Sequence, residues 1–173
     1  MDAATERRPA SAISAFLAGL QGGMLGVCWM LGWLGISAVW QRRSFWTPEN
    51  LMADAFYGGS AIREGFAGRT LSGLALYLLL YSTLGALFAV VVRDRLPRSR
   101  IMLASVCFAL FWYYFSFRVI WKAVSPLISM LHVEQSTVLG HMVYGTVLGR
   151  FPLYLPGPQK PAPADGPGGT ETS

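Results

Sequence analysis

Four apolar blocks constrain this chain more than any other feature. They cover roughly residues 13–40, 71–92, 101–121 and 136–155, and none of them contains an aspartate or a glutamate. At a rise of about 1.5 Å per residue, the first three blocks are long enough to cross a hydrocarbon core of about 30 Å. The pattern predicts an all-α, polytopic membrane protein with four antiparallel transmembrane helices.

The fourth block is the shortest of the predicted spans. A helix from Ser136 to Phe151 would rise only about 24 Å. Such a span either stays nearly upright and thins the bilayer locally, or it begins earlier, in the segment that Pro126 opens. Its starting residue is therefore left open.

The chain is predicted to form one membrane domain with a loose tail. Residues 1–155 would make up the transmembrane domain, because the spans leave little of the 173 residues for a soluble unit. Residues 156–173 contain five of the ten prolines, together with glycine, serine and threonine. Such a segment buries too little apolar surface to offset its conformational entropy, so we expect it to be disordered.

The positive charge indicates an orientation in the membrane. A short turn between the second and third blocks contains Arg93, Arg95, Arg98 and Arg100, and short arginine-rich loops stay on the cytoplasmic side. This predicts a plasma (inner) membrane protein with cytoplasmic N and C termini. The net charge of +5 sits mainly at the edges of the spans. We therefore expect the lipid bilayer, and no nucleic acid, as a partner.

An additional helix is predicted at residues 48–57. Thr47 is a suitable N-cap, Pro48 fits the first turn, and Gly58 with Gly59 ends the helix. One side of this helix carries Leu51, Met52, Ala55 and Phe56, and another carries Glu49, Asn50 and Asp54. The pattern predicts an interfacial helix on the outer membrane surface, although a lid over a ligand cavity would have the same pattern.

Glycines mark the predicted helix contacts. Most of them recur four residues apart in the first and last spans, where their missing side chains allow a second helix to approach closely. The glycines concerned are Gly19, Gly22, Gly23, Gly26, Gly140, Gly145 and Gly149. They would serve either dimerisation or packing within the chain, and four spans in one chain favour internal packing.

His141 is the only titratable group of near-neutral pKa in the blocks, and Tyr144 lies beside it. As a haem ligand it would need a second axial residue, and the only other histidine is His132. As a proton relay it would need an intramembrane carboxylate, which the blocks lack. A structural hydrogen bond to a serine, a tyrosine or a backbone carbonyl of the first or second span needs only common neighbours, and we favour it. We therefore predict no cofactor.

Signatures of enzymatic sites are not found in the sequence. It contains no phosphate loop, HExxH pair, CxxC pair or GxSxG elbow. Cys28 and Cys107 lie inside apolar blocks and are interpreted as small packing residues. Cys28 and His141 would lie at opposite membrane depths, which disfavours a Cys/His pair. We expect a protein that is not an enzyme.

The Gly-His-x-x-Tyr-Gly-x-x-x-Gly run over residues 140–149 resembles the last span of small bacterial inner-membrane proteins of unknown function. Those proteins also open on a glycine-rich span and carry four spans. The resemblance implies a bacterial plasma membrane and a four-helix bundle, and it implies no activity.

The sequence thus favours a non-enzymatic accessory subunit or a self-associating helix bundle. One alternative is a transporter of small molecules or lipids with a cavity between spans one, three and four. A proton-driven version is disfavoured because the blocks contain no carboxylate. A second alternative is a haem- or quinone-binding membrane anchor that uses His141.

Overall fold

The computed structural model describes residues 11–61 and 65–156, and every regular element in these two ranges is helical. The α-helices are α1 (Ala12–Trp40), α2 (Thr47–Tyr57), α3 (Gly68–Val92), α4 (Arg98–Phe115), α5 (Trp121–Val124), α6 (Pro126–Leu131) and α7 (Glu134–Leu148). A π-helical turn, Ser116–Ile120, joins α4 to α5, and 3-10 turns cover Gly58–Ala61 and Phe151–Tyr154. Apart from Pro156, the tail predicted at 156–173 lies outside the described residues.

Three helices are long and apolar enough to cross a membrane: α1, α3 and the continuous stretch Arg98–Val124. The prediction of an all-α protein with membrane-spanning helices is confirmed to that extent. The fourth predicted span differs from the structure, because α7 begins at Glu134 and ends at Leu148. A 3-10 turn follows, and Pro152 within it has no amide hydrogen with which to continue α-helical bonding.

Small residues bring α1 into direct contact with α3. A Cβ atom on Gly23 would lie 2.7 Å from the carbonyl oxygen of Tyr81, and one on Gly85 would lie 2.6 Å from the carbonyl oxygen of Gly19. Neither position can accept a side chain without moving a backbone. The two helices therefore gain dispersion contacts at these glycines, as expected for association in lipid.

The glycines of α7 bring it close to both α1 and α4. A Cβ atom on Gly26 of α1 would lie 2.9 Å from the ring of Tyr144, and one on Gly145 would lie 2.7 Å from Cα of Val106. Gly22, Gly140 and Gly149 lie at the same two contacts, against Phe151, Met30 and Ser105 respectively. All seven glycines singled out in the sequence thus lie at contacts within the chain.

Aromatic rings fill the side of the bundle between α3 and α4. Phe88 and Phe108 face each other with ring centroids 5.1 Å apart. Large rings hold backbones further apart than glycines do, so the space between α3 and α4 accommodates the buried tyrosines described below.

The two cysteines correct a prediction. Cys28 on α1 and Cys107 on α4 are both exposed on the outer surface of the bundle. They are therefore not interior packing residues. Helical periodicity puts Cys28 on the opposite side from the glycine contacts, because Gly23 and Gly26 occupy the inward face of α1.

Helix α2 forms where the sequence predicts it, but its polar side is buried in the protein. It ends at Gly58 with φ +66°, a conformation that favours glycine. Its N-cap is Trp46, and the hydroxyl of Thr47 instead donates to the carbonyl of Ser44. An interfacial helix keeps its polar side in water. Here Glu49, Asn50 and Asp54 are 2%, 1% and 7% exposed, and Leu51 and Met52 are buried as well, so the polar side of α2 does not lie in water as an interfacial helix would have it.

Candidate functional site

His141 lies at the centre of the bundle. It shares the buried face of α7 with Gly140, Tyr144 and Gly145, and it is only 1% exposed. Because the flanking glycines let α1 and α4 approach α7 closely, the imidazole between them points away from lipid and into the protein. The local sequence thus decides on which face of α7 His141 lies, and the neighbouring helices supply the groups around its imidazole.

The hydrogen bonds of His141 determine its tautomer. Its Nδ1 atom lies 2.8 Å from the carbonyl oxygen of Thr137, which can only accept, so Nδ1 carries the proton. Its Nε2 atom lies 2.7 Å from the hydroxyl of Tyr81. In a neutral ring Nε2 is then the acceptor, and the Tyr81 hydroxyl donates. Both ring nitrogens have partners.

Two further tyrosines enclose this pair, and we call His141, Tyr81, Tyr144 and Tyr113 together the histidine cluster. The hydroxyl of Tyr144 donates to the backbone carbonyl of Tyr81 at 2.7 Å. The ring of Tyr144 meets that of Tyr81 edge-on at 5.0 Å, and the ring of Tyr113 lies 5.1 Å from His141. The cluster is thus packed as well as hydrogen-bonded.

The geometry does not favour His141 as a metal or haem ligand. Coordination through Nε2 would displace the Tyr81 hydroxyl, and coordination through Nδ1 would require loss of its proton. His132 lies beyond Tyr113, whose hydroxyl is 3.3 Å from Nε2 of His132. In the described part of the chain, no three histidine, cysteine or acidic side chains are grouped so that they could hold a metal ion.

A small cavity adjoins the histidine cluster where α1 ends and α7 begins. We call it the α6 cavity, because α6 covers it; its volume is about 60 Å³. Its polar lining consists of Ser37, Gln41, Arg43, Thr47, Tyr77, His132, Ser136 and Thr137. The hydroxyls of Ser37 and Ser136 are 2.5 Å apart, and Arg43 donates to the carbonyl of Leu131 at 3.1 Å. These bonds tie the ends of α1, α6 and α7 together.

The polar side of α2 completes the site. The Asn50 side chain accepts from the hydroxyl of Thr70 at 2.7 Å and donates to the carbonyl of Gly65 at 3.1 Å. Oδ2 of Asp54 accepts from the Ser125 hydroxyl at 2.5 Å. One oxygen of each acid, Oδ1 of Asp54 and Oε2 of Glu49, is buried without a hydrogen-bond partner. Burial raises the pKa of the Glu49 carboxyl to about 7.

The histidine cluster and the α6 cavity are neighbours. Thr137 lines the α6 cavity and also accepts the hydrogen bond from His141. Tyr77 lines the same cavity, and its ring stacks on that of Tyr81 at 5.8 Å. The cavity therefore adjoins the histidine cluster through the backbone carbonyl of Thr137 and the ring of Tyr77.

Sequence reasoning missed the contribution of α2. It treated the interior as free of carboxylates because the four apolar blocks are, yet α2 carries Glu49 and Asp54 inwards. One signal was present at the start of α3, where Thr70 and Gly73 lie three residues apart on one side. Gly73 is small because the carbonyl group of Glu49 packs directly against it. That signal shows a close neighbour but does not identify it.

The arginine-rich turn is separate from this site. It joins α3 to α4, and Arg93 bonds to Asp94 at 2.6 Å while Arg95 donates to the carbonyl of Val91. Arg98 and Arg100 lie in the first turn of α4.

An apolar groove crosses the outer surface between α1 and α7. It has a volume of about 380 Å³ and is lined by Trp29, Trp33, Leu139, Met142, Val143, Thr146 and Val147. The indole of Trp33 is anchored by a hydrogen bond to the carbonyl of Ser136 at 2.9 Å.

Comparison with known proteins gives one relationship. No curated protein and no solved structure matches the chain. One family model, described as a family of unknown function (DUF6789), matches residues 13–162. Because that match covers most of the chain, the protein belongs to this family of unknown function.

Proposed function

We propose that the chain forms a four-span bundle in which α7 and the 3-10 turn after it make the fourth crossing. The order of contacts supports antiparallel neighbours, since Gly19 meets Ala89 whereas Gly23, further along α1, meets Ser82. The arginine-rich turn supports cytoplasmic termini in a bacterial plasma membrane. This arrangement is the basis of the functional proposal.

We propose that the protein is a non-enzymatic membrane subunit that associates with itself or with other membrane proteins through α4. The exposure of α4 carries this proposal. In the most apolar stretch of each long helix, 56% of the residues of α1 and 50% of those of α3 are buried, against 22% of those in Arg98–Val124. The chain itself therefore covers α4 least.

The composition of the exposed side of α4 also supports a protein partner. Its large exposed side chains are Met102, Leu103, Phe111, Tyr114 and Phe115. The rings of Phe111 and Phe115 stack at 5.9 Å with an interplanar angle of 11°, which forms a flat surface. Aromatic residues and methionine are enriched where proteins meet one another.

Cysteine cross-linking in native membranes tests self-association. Cys107 lies on the exposed side of α4, and Cys28 on α1 is the matched control. A disulfide requires Cα atoms within about 7 Å, so only a cysteine close to its own copy reacts. With an oxidant, Cys28→Ser protein should form a dimer through Cys107, whereas Cys107→Ser protein should stay monomeric.

Native mass spectrometry of the detergent-solubilised complex tests for a partner other than a second copy of this chain. A heteromeric subunit would leave Cys107 uncross-linked but would appear as added protein mass. A lone monomer that also fails to cross-link through Cys107, Leu103→Cys or Phe111→Cys would contradict the proposal.

A second candidate that we propose is the handling of a very small molecule in the α6 cavity, since about 60 Å³ is well below the usual size of a ligand pocket. The cavity adjoins α1, α7 and the π-helical turn after α4, and its lining mixes hydroxyl groups with apolar side chains. A bound molecule would be retained in gently purified protein and identified by mass spectrometry. Replacement of Ser136 by leucine fills the cavity and should release that molecule, while the exposed Leu103→Ala should not. Purified wild-type protein that retains no small molecule would count against this candidate.

A further inference from the structure

Glu49 occupies an unusual position for a glutamate. The residue is 2% exposed, and its Oε2 atom has no hydrogen-bond partner among the described residues. Among the described residues the one ion pair joins Arg93 to Asp94, so none of the described cations pairs with Glu49. The position is held by the backbone, because the Glu49 carbonyl group packs against Gly73 of α3.

An ionised carboxylate in these surroundings would lose its hydration without replacement. Removal of an unpaired charge from water disfavours the charged form, and a buried acid responds by keeping its proton. Burial accordingly raises the pKa of the Glu49 carboxyl to about 7, and a bond from its own backbone opposes this only in part.

The groups that face Glu49 do not reverse the preference for a protonated carboxyl. From α3, Tyr77 is the titratable side chain that interacts with it. Arg69, also on α3, lies over the ring of Tyr57 at the far end of α2. Asp54 is the other acid of α2 and is bonded to Ser125, the residue before α6. Tyr77 also lines the α6 cavity, as does Pro48, the residue before Glu49, so the cavity adjoins this part of α2.

We propose that Glu49 is a proton-binding site, and that loss of its proton loosens α2 from α3 so that water from the α6 cavity reaches the carboxylate. The ligand of this site is the proton, and its binding controls how α2 packs against α3. The inference rests on the surroundings of Glu49 and is independent of both candidate functions.

Infrared difference spectroscopy of the full-length protein in phosphatidylcholine vesicles tests the site directly. The wild type should show the carbonyl band of a protonated carboxyl group that disappears as the pH rises through about 7. Glu49→Gln should lack this band. Glu134→Gln, which replaces an exposed acid in the first turn of α7, should retain it.

Isotope labelling keeps the experiment decisive if Glu49→Gln does not fold. In wild-type protein grown with ¹³C-labelled glutamate, the band should shift, and its acid proton should exchange slowly with D₂O. If no glutamate band titrates near neutral pH, or if an unchanged band persists in folded Glu49→Gln, the proposal is overturned.

Hydrogen exchange tests the link to α2. Suppose that the pKa of Glu49 returns to its ordinary 4.5 when α2 opens. The difference from about 7 then corresponds to about a 300-fold decrease, from low to high pH, in the ratio of packed to open α2. After correction for the intrinsic pH dependence of exchange, amides of α2 should therefore exchange faster at high pH in the wild type. The exchange of α2 should not depend on pH in Glu49→Gln. Equal pH dependence in both proteins would refute the link.

Discussion

The hydrogen bond between Tyr81 and His141 gives the sharpest test of the structure. Its two atoms are 2.7 Å apart, and both residues are buried. Tyr81→Phe leaves Nε2 of His141 without a donor, which costs about 1–3 kcal/mol in a protein interior. Between membrane helices measured couplings average about 0.6 kcal/mol and reach about 1.7. We therefore expect Tyr81→Phe to lower the free energy of unfolding by about 1–2 kcal/mol.

A double-mutant cycle isolates this bond. His141→Leu removes the acceptor at similar volume, so adding Tyr81→Phe to it should cost little more. The double variant should be more stable than the sum of the single effects by about 1 kcal/mol. Tyr144→Phe is the control, because its hydroxyl bonds to the Tyr81 backbone rather than to His141. Its coupling to His141→Leu should be weaker than that of Tyr81→Phe.

Equilibrium unfolding in mixed micelles of a mild detergent and SDS supplies these free energies. Nitrogen-15 chemical shifts of the imidazole provide an independent check, with a protonated Nδ1 and an unprotonated Nε2 expected in the wild type. If Tyr81→Phe and His141→Leu proved fully additive, or if the tautomer were reversed, a structural role for His141 would be refuted.

Three further outcomes follow from the packing. The pKa of Glu49 is about 7 in the folded protein and 4.5 for an ordinary glutamate. Between these two pH values the folded protein therefore binds one more proton than the unfolded chain, and the free energy of unfolding falls as the pH rises from 4.5 to about 7. The loss is about 3 kcal/mol at about 1.4 kcal/mol per pKa unit, and it should disappear in Glu49→Gln when unfolding is measured against pH. Gly23→Ala should cost about 1–3 kcal/mol because its Cβ would lie 2.7 Å from a backbone oxygen, whereas Gly32→Ala, with open space around it, should be neutral. Cys28 and Cys107 should react in membranes with an apolar thiol reagent and resist a charged one; equal reactivity with both would contradict their exposure to lipid.

Much of the fold is predictable from patterns local to the chain. Apolar blocks mark α1, α3 and α4 to within three residues at the starts, and glycine spacing marks the helix contacts. Both signals depend on the side chains of one segment and on helical geometry, so no knowledge of the neighbours is required. The end of α7 was overestimated because Pro152 interrupts a stretch that is still apolar.

The candidate site was predictable only in part. His141 and Tyr144 stood out because polar groups are rare in apolar blocks. The identity of the partner, Tyr81, was open among the serines, tyrosines and carbonyls of two spans. Glu49 was missed because amphipathicity shows that a helix has two sides without showing which side is buried.

The sequence by itself determined that this chain is a helical membrane protein. It also determined where the long helices lie and which of their faces carry small residues. Hydrophobicity and periodicity along one helix carry that information. Only the tertiary structure decided which way α2 faces and what its polar groups meet. Those contacts join residues far apart in the chain, such as Asp54 with Ser125 and Tyr81 with His141. Their energies depend on partners and burial that no single segment encodes, and so the tertiary fold alone gives Glu49 its buried, unpaired carboxyl.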